Sequence, residues 1–320
     1  MRVLSGIQPS GKLHIGNYFG MMKPAIELQD QGETFLFIAN YHALTSVSDP
    51  DQLRTDTLDV ALDFLACGLD PTKTVFFRQS DVPEITELTW LLSTVTPMGL
   101  LERCHSYKDK TAKGIAPTHA LFSYPVLMAA DILAVQSTVV PVGRDQKQHV
   151  EVTRDIAIKF NNKFGNVFTI PESSIKEEVA VIPGIDGQKM SKSYDNHIEL
   201  FGGKKATRKR VMQIVTDSTP LEDPKTTDGC NVFALYKLFA SEQELQALAD
   251  KYAVGGFGYG DAKKILFEAM TEYFAPFRAR REELENDLDY VKSVLEQGAA
   301  KARVAARETL TAARCAMGLE

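Results

Sequence analysis

Apolar residues follow two rhythms along this chain, and the change between them falls near residue 195. Before it, short apolar runs alternate with segments of helical spacing. Arg2–Ile7 reads as a strand, and the glycine-bearing turn after it opens a helix from about Ile15. Residues 34–39 form a continuous apolar run, as a strand buried on both faces requires. Leu53, Thr57, Ala61 and Phe64 recur at helical spacing between a start at Asp49-Pro50 and a stop at Gly68. Residues 74–77 and 138–142 are further strands, and a helix follows from near Asp145. This alternation predicts a parallel α/β sheet. After residue 195 the strand signals fade, and residues 235–239, 242–252, 262–288 and 289–317 read as helices. The expectation is an α/β nucleotide-binding domain over 1–195 and a smaller all-helical domain over 196–320.

Composition narrows the class. With 44% apolar and 24% charged residues, the 320-residue chain can bury a full core. It has no apolar run long enough to span a bilayer and no signal-peptide pattern, which points to a cytoplasmic protein with no membrane partner. Cys67, Cys104, Cys230 and Cys315 form no CxxC pair and no zinc spacing, so no protein-bound metal is expected. The net charge of −6 argues against nonspecific nucleic-acid binding, including DNA. Two local basic stripes could still meet RNA: Lys204-Lys205-Ala206-Thr207-Arg208-Lys209-Arg210, and Lys301, Arg303, Arg307 and Arg314.

Candidate chemistry begins at the first strand. Gln8-Pro9-Ser10-Gly11-Lys12-Leu13-His14-Ile15-Gly16-Asn17 joins a strand to a helix start, where free N–H groups favour anions. Gly11 and Gly16 allow close backbone approach, and His14 and Asn17 add donors. Far along the chain, Lys189-Met190-Ser191-Lys192-Ser193 follows a loop-forming Pro183-Gly184-Ile185-Asp186-Gly187. Its lysines, three apart on a mobile loop, can close on a triphosphate and offset charge on a leaving pyrophosphate. At the end of the strand over 138–142, Gly143 permits close approach, and Asp145 or Gln146 could hold an ammonium or a ribose. The Gly-rich turn at 255–260 has no strand–helix context and is not read as a phosphate loop.

Tyr124, Met128 and Asp131 share one helix face. A carboxylate inside this apolar run is costly without a donor. An indole N–H donates and cannot accept, so a pocket with a Met128 wall and the Asp131 acceptor suits tryptophan.

The HIGN and KMSKS segments together resemble the two signatures of class I aminoacyl-tRNA synthetases, and the Tyr-x-x-x-Met-x-x-Asp face resembles the bacterial tryptophanyl-tRNA synthetases. The likeness extends to His42-Ala43-Leu44-Thr45, Asp145-Gln146-Lys147-Gln148-His149 and Val215-Thr216-Asp217-Ser218. It implies a Rossmann-like catalytic domain ending in the KMSKS loop and a helical tRNA anticodon-binding domain. It implies ATP contacts at Gln8, Pro9, Ser10, Gly16, Asn17, Gly143, Arg144, Asp145, Ile182, Lys189, Met190, Ser191, Lys192 and Ser193. It implies an L-tryptophan site of His42, Tyr124, Met128, Asp131 and Gln146, with His14, Lys110, Lys189 and Lys192 carrying catalysis. The implied reaction activates tryptophan with ATP, Mg2+ riding on the phosphates, and then charges tRNA(Trp); the implied assembly is a homodimer. This chain departs from the pattern at His14, where Thr is usual, at Arg144, where Glu is usual, at Leu4, where an aromatic is common, and at Asn40-Tyr41-His42. The segment before KMSKS is also shorter. Tyrosyl-tRNA synthetases are similar but usually carry Gln at the position of Met128. That specificity, or a synthetase-like binding module without catalysis, remains open at this point.

Overall fold

The structure is a computed structural model that describes residues 1–104, 107–108, 118–141, 147–174 and 182–319. Its strands are β1 (Arg2–Ile7), β2 (Glu33–Ile38), β3 (Thr74–Arg78), β4 (Val139–Pro141) and β5 (Glu172–Ser174). Its α-helices are α1 (Ile15–Asn17), α2 (Lys23–Glu27), α3 (Asn40–Ala43), α4 (Pro50–Ala66), α5 (Glu84–Ser93), α6 (Met98–Leu101), α7 (His119–Ala134), α8 (Lys147–Phe164), α9 (Lys204–Met212), α10 (Asn231–Tyr236), α11 (Glu242–Val254), α12 (Tyr259–Glu285) and α13 (Leu288–Met317).

The five strands form one parallel sheet in the order β3-β2-β1-β4-β5. Pairing is in register, with Leu4 opposite Phe35 and Phe35 opposite Val75. The order reverses between β1 and β4, the crevice where open α/β sheets bind ligands. The sheet's apolar residues, among them Leu4, Phe35 and Phe77, join α5, α7, α8 and α13 in one core. Strand β5 was not foreseen: Glu-Ser-Ser carries no apolar run and owes its place to backbone pairing with β4. The helix expected from Ile15 is α1 alone, followed by a π turn at Tyr18–Met22. Pro24 cannot donate to the carbonyl four residues back, and the ladder widens there. The expected strand end at Val142 and the helix start near Asp145 lie outside the described residues.

Two compact units emerge. The first comprises 1–11, 25–177 and 287–320; the second comprises 12–24 and 178–286. This division differs from the expected boundary at 195 in three places: residues 12–24 and the stretch up to 195 that carries KMSKS fall in the second unit, and residues 287–320 fall in the first. Residues 12–24 join the second unit because their backbone pairs there: Ile15 N–H donates to Ile198 O at 3.0 Å, and Leu200 N–H to Leu13 O at 2.9 Å. The last helix, α13, returns to the sheet because a stripe of small residues, Gly298, Ala299, Ala302 and Ala306, lets it approach the edge strand β3. Covering that edge removes an open template for foreign strands.

Gly298 marks the closest approach, since a methyl group there would overlap the carbonyl oxygen of Phe76. Gly298→Ala is expected to destabilise the first unit by about 1–3 kcal/mol through overpacking, although the same exchange favours an exposed helix. Urea denaturation checks this; an unchanged or raised midpoint would show that α13 does not pack tightly on β3.

Candidate active site

In the first unit, the carboxyl ends of β2 and β3 lead directly into polar turns. β2 passes through Ala39 into α3, which carries His42; β3 passes into a 3-10 turn at Gln79–Asp81. Both side chains meet Asp131 of α7. The Asp131 carboxylate is 2% exposed and Gln79 is fully buried. Gln79 Nε2 donates to both carboxylate oxygens, at 2.8 and 2.9 Å, and His42 Nε2 lies 2.9 Å from Oδ2. An ionised carboxylate can only accept, so His42 presents an N–H to it. Gln79 is itself fixed, because its Oε1 accepts the backbone N–H groups of Tyr41 at 3.0 Å and His42 at 3.4 Å. Burial raises the Asp131 pKa above the ordinary carboxylate value, and the His42 and Gln79 hydrogen bonds oppose that rise. A carboxylate offers about four lone-pair sites, so two donor groups leave it able to accept from a ligand.

Tyr124 and Met128 lie on the same helix, both half-buried. The Tyr124 ring stands edge-on to His42, 6.2 Å between centroids, and its hydroxyl lies 2.6 Å from His149 Nε2. The segment after β1 is fixed as well. Gln8 Nε2 donates to His42 O at 3.0 Å, and Gly11 N–H donates to the buried Asp56 carboxylate at 2.7 Å. Pro9 is buried and Ser10 exposed. Gly11 has φ 94°, a left-handed conformation that lets the turn close.

The second unit joins HIGN to KMSKS. His14 pairs with Glu199 across an antiparallel bridge. A Cβ on Gly16 would stand 2.9 Å from His14 Nδ1 and 3.2 Å from Met190 Cβ, so only glycine fits between the motifs. Met190 is buried beneath its loop, whereas Lys189 and Ser193 are exposed and Ser191 and Lys192 half-buried. Asn196, 2% exposed, pins the loop. Its Oδ1 accepts from Ser191 N at 2.7 Å, and its Nδ2 donates to Lys189 O at 3.1 Å and Asp186 Oδ1 at 2.8 Å. Ile182 is buried, and its carbonyl accepts from Met190 N at 2.9 Å.

His14 is a neutral donor in this setting. Its Nδ1 accepts from Asn17 N–H at 3.1 Å, which places the ring proton on Nε2; Asn17 Oδ1 accepts from His14 N–H at 3.1 Å. Burial, then the charges of Lys192 and His197, lower its pKa from 6.5 to about 4. The positive charge near this motif therefore comes from lysines. Lys110, Gly143, Arg144, Asp145 and Gln146 lie outside the described residues. Two residues of the candidate site, Gln79 and Asn196, were not named from the sequence, and His149 was named only within the matching segment 145–149. Gln79 was within reach, since a polar residue just past a strand's carboxyl end is where such a sheet binds.

Residues 1–275 match the family of class I tRNA synthetases for tryptophan and tyrosine, described as "tRNA synthetases class I (W and Y)". The chain belongs to this family. It is 56% identical over 319 residues to a tryptophan–tRNA ligase of Rhodopirellula baltica, covering all of both chains. Identity is likewise 56% to that of Fusobacterium nucleatum, over 99% of this chain and 98% of the relative. A crystal structure of the Campylobacter jejuni tryptophanyl-tRNA synthetase, complexed with ADP and tryptophan, superposes with a TM-score of 0.95 at 52% identity, covering 99% of this chain and 100% of that one. The class I architecture thus agrees with the parallel sheet and helices described above.

In this class I synthetase, the lowered His14 pKa sets a pH dependence. The unfolded chain binds the proton near pH 6.5 and the folded one only near pH 4, so stability is complete above about 6.5 and falls as pH drops through this window. His14→Asn keeps a capping side chain and removes the titration. Urea midpoints measured from pH 7 to 4 are expected to fall less steeply in the variant than in the parent. Equal slopes would show that His14 is not held neutral.

Proposed function

We propose that the chain is a tryptophan–tRNA ligase. The observation that carries this reading is the buried Asp131 carboxylate, oriented by Gln79 and His42 on the helix that also presents Met128. In a family divided between tryptophan and tyrosine, this arrangement favours a ligand that donates one hydrogen bond from an apolar ring. Met128 offers a phenol hydroxyl nothing to bind, and its polarizable thioether suits an indole face.

The proposed reaction has two steps. A tryptophan carboxylate oxygen attacks the α-phosphorus of ATP; the tryptophanyl-adenylate forms and pyrophosphate leaves, with Mg2+ carried on its phosphates. A ribose hydroxyl of the tRNA(Trp) 3′-terminal adenosine then attacks the acyl carbon and releases AMP. Both steps ask for positioning and charge stabilisation, and no protein nucleophile is assigned. Lys189 and Lys192 are proposed to offset phosphate charge, with His14 as a neutral donor and Lys110 as a further cation. Gln8, Pro9, Ser10, Gly16, Asn17, Gly143, Arg144, Asp145 and Ile182 are proposed ATP contacts. His42, Tyr124 and Gln146 are proposed to line the tryptophan site. The helices between residues 196 and 286 are the proposed anticodon reader. A cytoplasmic homodimer is the proposed form, supported by Trp90 and Met98, large apolar side chains 72% and 62% exposed.

Amino-acid-dependent ATP–pyrophosphate exchange tests this reading. Tryptophan alone is expected to support exchange, and Asp131→Ala to lower kcat/KM for tryptophan by at least about 100-fold, since it removes a charged, desolvated hydrogen-bond partner. Exchange with tyrosine, or an undiminished Asp131→Ala enzyme, would overturn it.

A further inference from the structure

The two basic stripes in the sequence have different fates in the fold. On α13 the arginines are consumed within the first unit. Arg303 and Arg307 converge on the buried Glu84 at 3.1 and 3.2 Å, and Arg314 pairs with Glu87. Three arginines meet two carboxylates here, so most of their charge is offset within the unit.

Helix α9 is different. Lys204, Lys205, Arg208 and Lys209 are all exposed, and among the described residues none of them makes an ion pair. The helix contains no acidic residue. Lys204 faces Arg208, and Lys205 faces Lys209, one turn apart, so each row sets like charges side by side. Lys204 and Lys205 also sit in the first turn, where positive charge opposes the helix dipole. Local stability does not explain such a helix in a chain of net charge −6.

The cationic face is held on a firm support. Thr207 and Val211 are buried and seat the side of the helix that flanks the Lys204–Arg208 row. Arg278 of α12 donates to Gly202 O at 3.0 Å and Leu200 O at 3.3 Å, just before α9, and Lys263 donates to Met212 O at 3.1 Å at its other end. Arg210, the fifth cation, turns inward to the carbonyls of His197 and Asp195, immediately beyond the KMSKS loop. One arginine therefore anchors the helix to the lysine loop, and the other four cations point to solvent.

We propose that the outward face of α9, made by Lys204, Lys205, Arg208 and Lys209, docks the phosphate backbone of the tRNA substrate, and that α13 does not. The partner class follows from charge complementarity and rests on the ligase reading above, which supplies an RNA as substrate. Such contacts position RNA without reading its sequence. They release counterions, so they leave a signature in the salt dependence of binding.

The test compares the parent, the quadruple variant Lys204→Ala/Lys205→Ala/Arg208→Ala/Lys209→Ala, and Lys301→Ala on α13. Two quantities are measured: tRNA(Trp) affinity from 50 to 300 mM salt, and tryptophan-dependent ATP–pyrophosphate exchange without tRNA. The expected result for the quadruple variant is parent-like exchange, tRNA affinity at least about 10-fold weaker near 0.1 M salt, and a log–log salt slope about 3 smaller, at roughly 0.7–0.9 per lost phosphate contact. Lys301→Ala is expected to change neither quantity. If the quadruple variant folds poorly, Arg208→Gln alone is expected to lower the slope by about 1. An unchanged slope and affinity, or a parent that binds no tRNA, overturns the proposal. A parent that binds tRNA but exchanges no pyrophosphate with tryptophan overturns the ligase reading instead, and the salt slopes still decide whether α9 is the RNA surface.

Discussion

A carboxylate removed from water survives only if fixed donors replace its hydration, and the proposed amino-acid site depends on how Asp131 meets that condition. Isolated burial of a charge costs several kcal/mol even after relaxation. Here Gln79 and His42 supply the donors, and both stand at carboxyl ends of neighbouring parallel strands. The sheet register therefore sets the donor geometry. Gln79 is locked by two backbone N–H groups from α3, so its amide cannot turn away. What remains is an acceptor aimed from a rigid helix, with its position decided before any ligand arrives.

The second unit solves a different problem: bringing two distant sequence motifs together. Backbone pairing between residues 13–15 and 198–200 ties HIGN to the segment following KMSKS. Gly16 and the buried Met190 let the two motifs touch. Asn196 then fixes the loop backbone while Lys189 keeps its side chain exposed. An anchored backbone with Lys189 exposed and Lys192 half-buried differs from a loop that is free throughout. It orders the main chain in advance, which reduces what must be ordered if the loop takes phosphate as proposed.

Much of this was legible along the chain, and the exceptions share a physical cause. β2 announces itself as a buried apolar run, β1 and β3 by their buried apolar centres, and Asp131 stands out because a charge breaks an apolar helix face. β5 is invisible because Glu-Ser-Ser is held by its neighbour's backbone. The alanine- and glycine-rich α13 reads as a helix, but nothing local says that it returns to cover β3. Gln79 and Asn196 act through long-range hydrogen bonds, and a polar residue in a turn looks the same whether it is solvated or is a hub. The charge stripes show the same limit: the sequence offers α9 and α13 as equals, and only ion pairing separates them.

The claim that Asp131 accepts the indole N–H is tested most directly by a substrate that keeps the ring shape and lacks that proton. The benzothiophene analogue of tryptophan, with sulfur in place of N–H, serves in pyrophosphate exchange. The account predicts that kcat/KM falls by at least about 100-fold relative to tryptophan, because a buried charged acceptor is left unmet. Activation of the analogue as efficiently as tryptophan would contradict it.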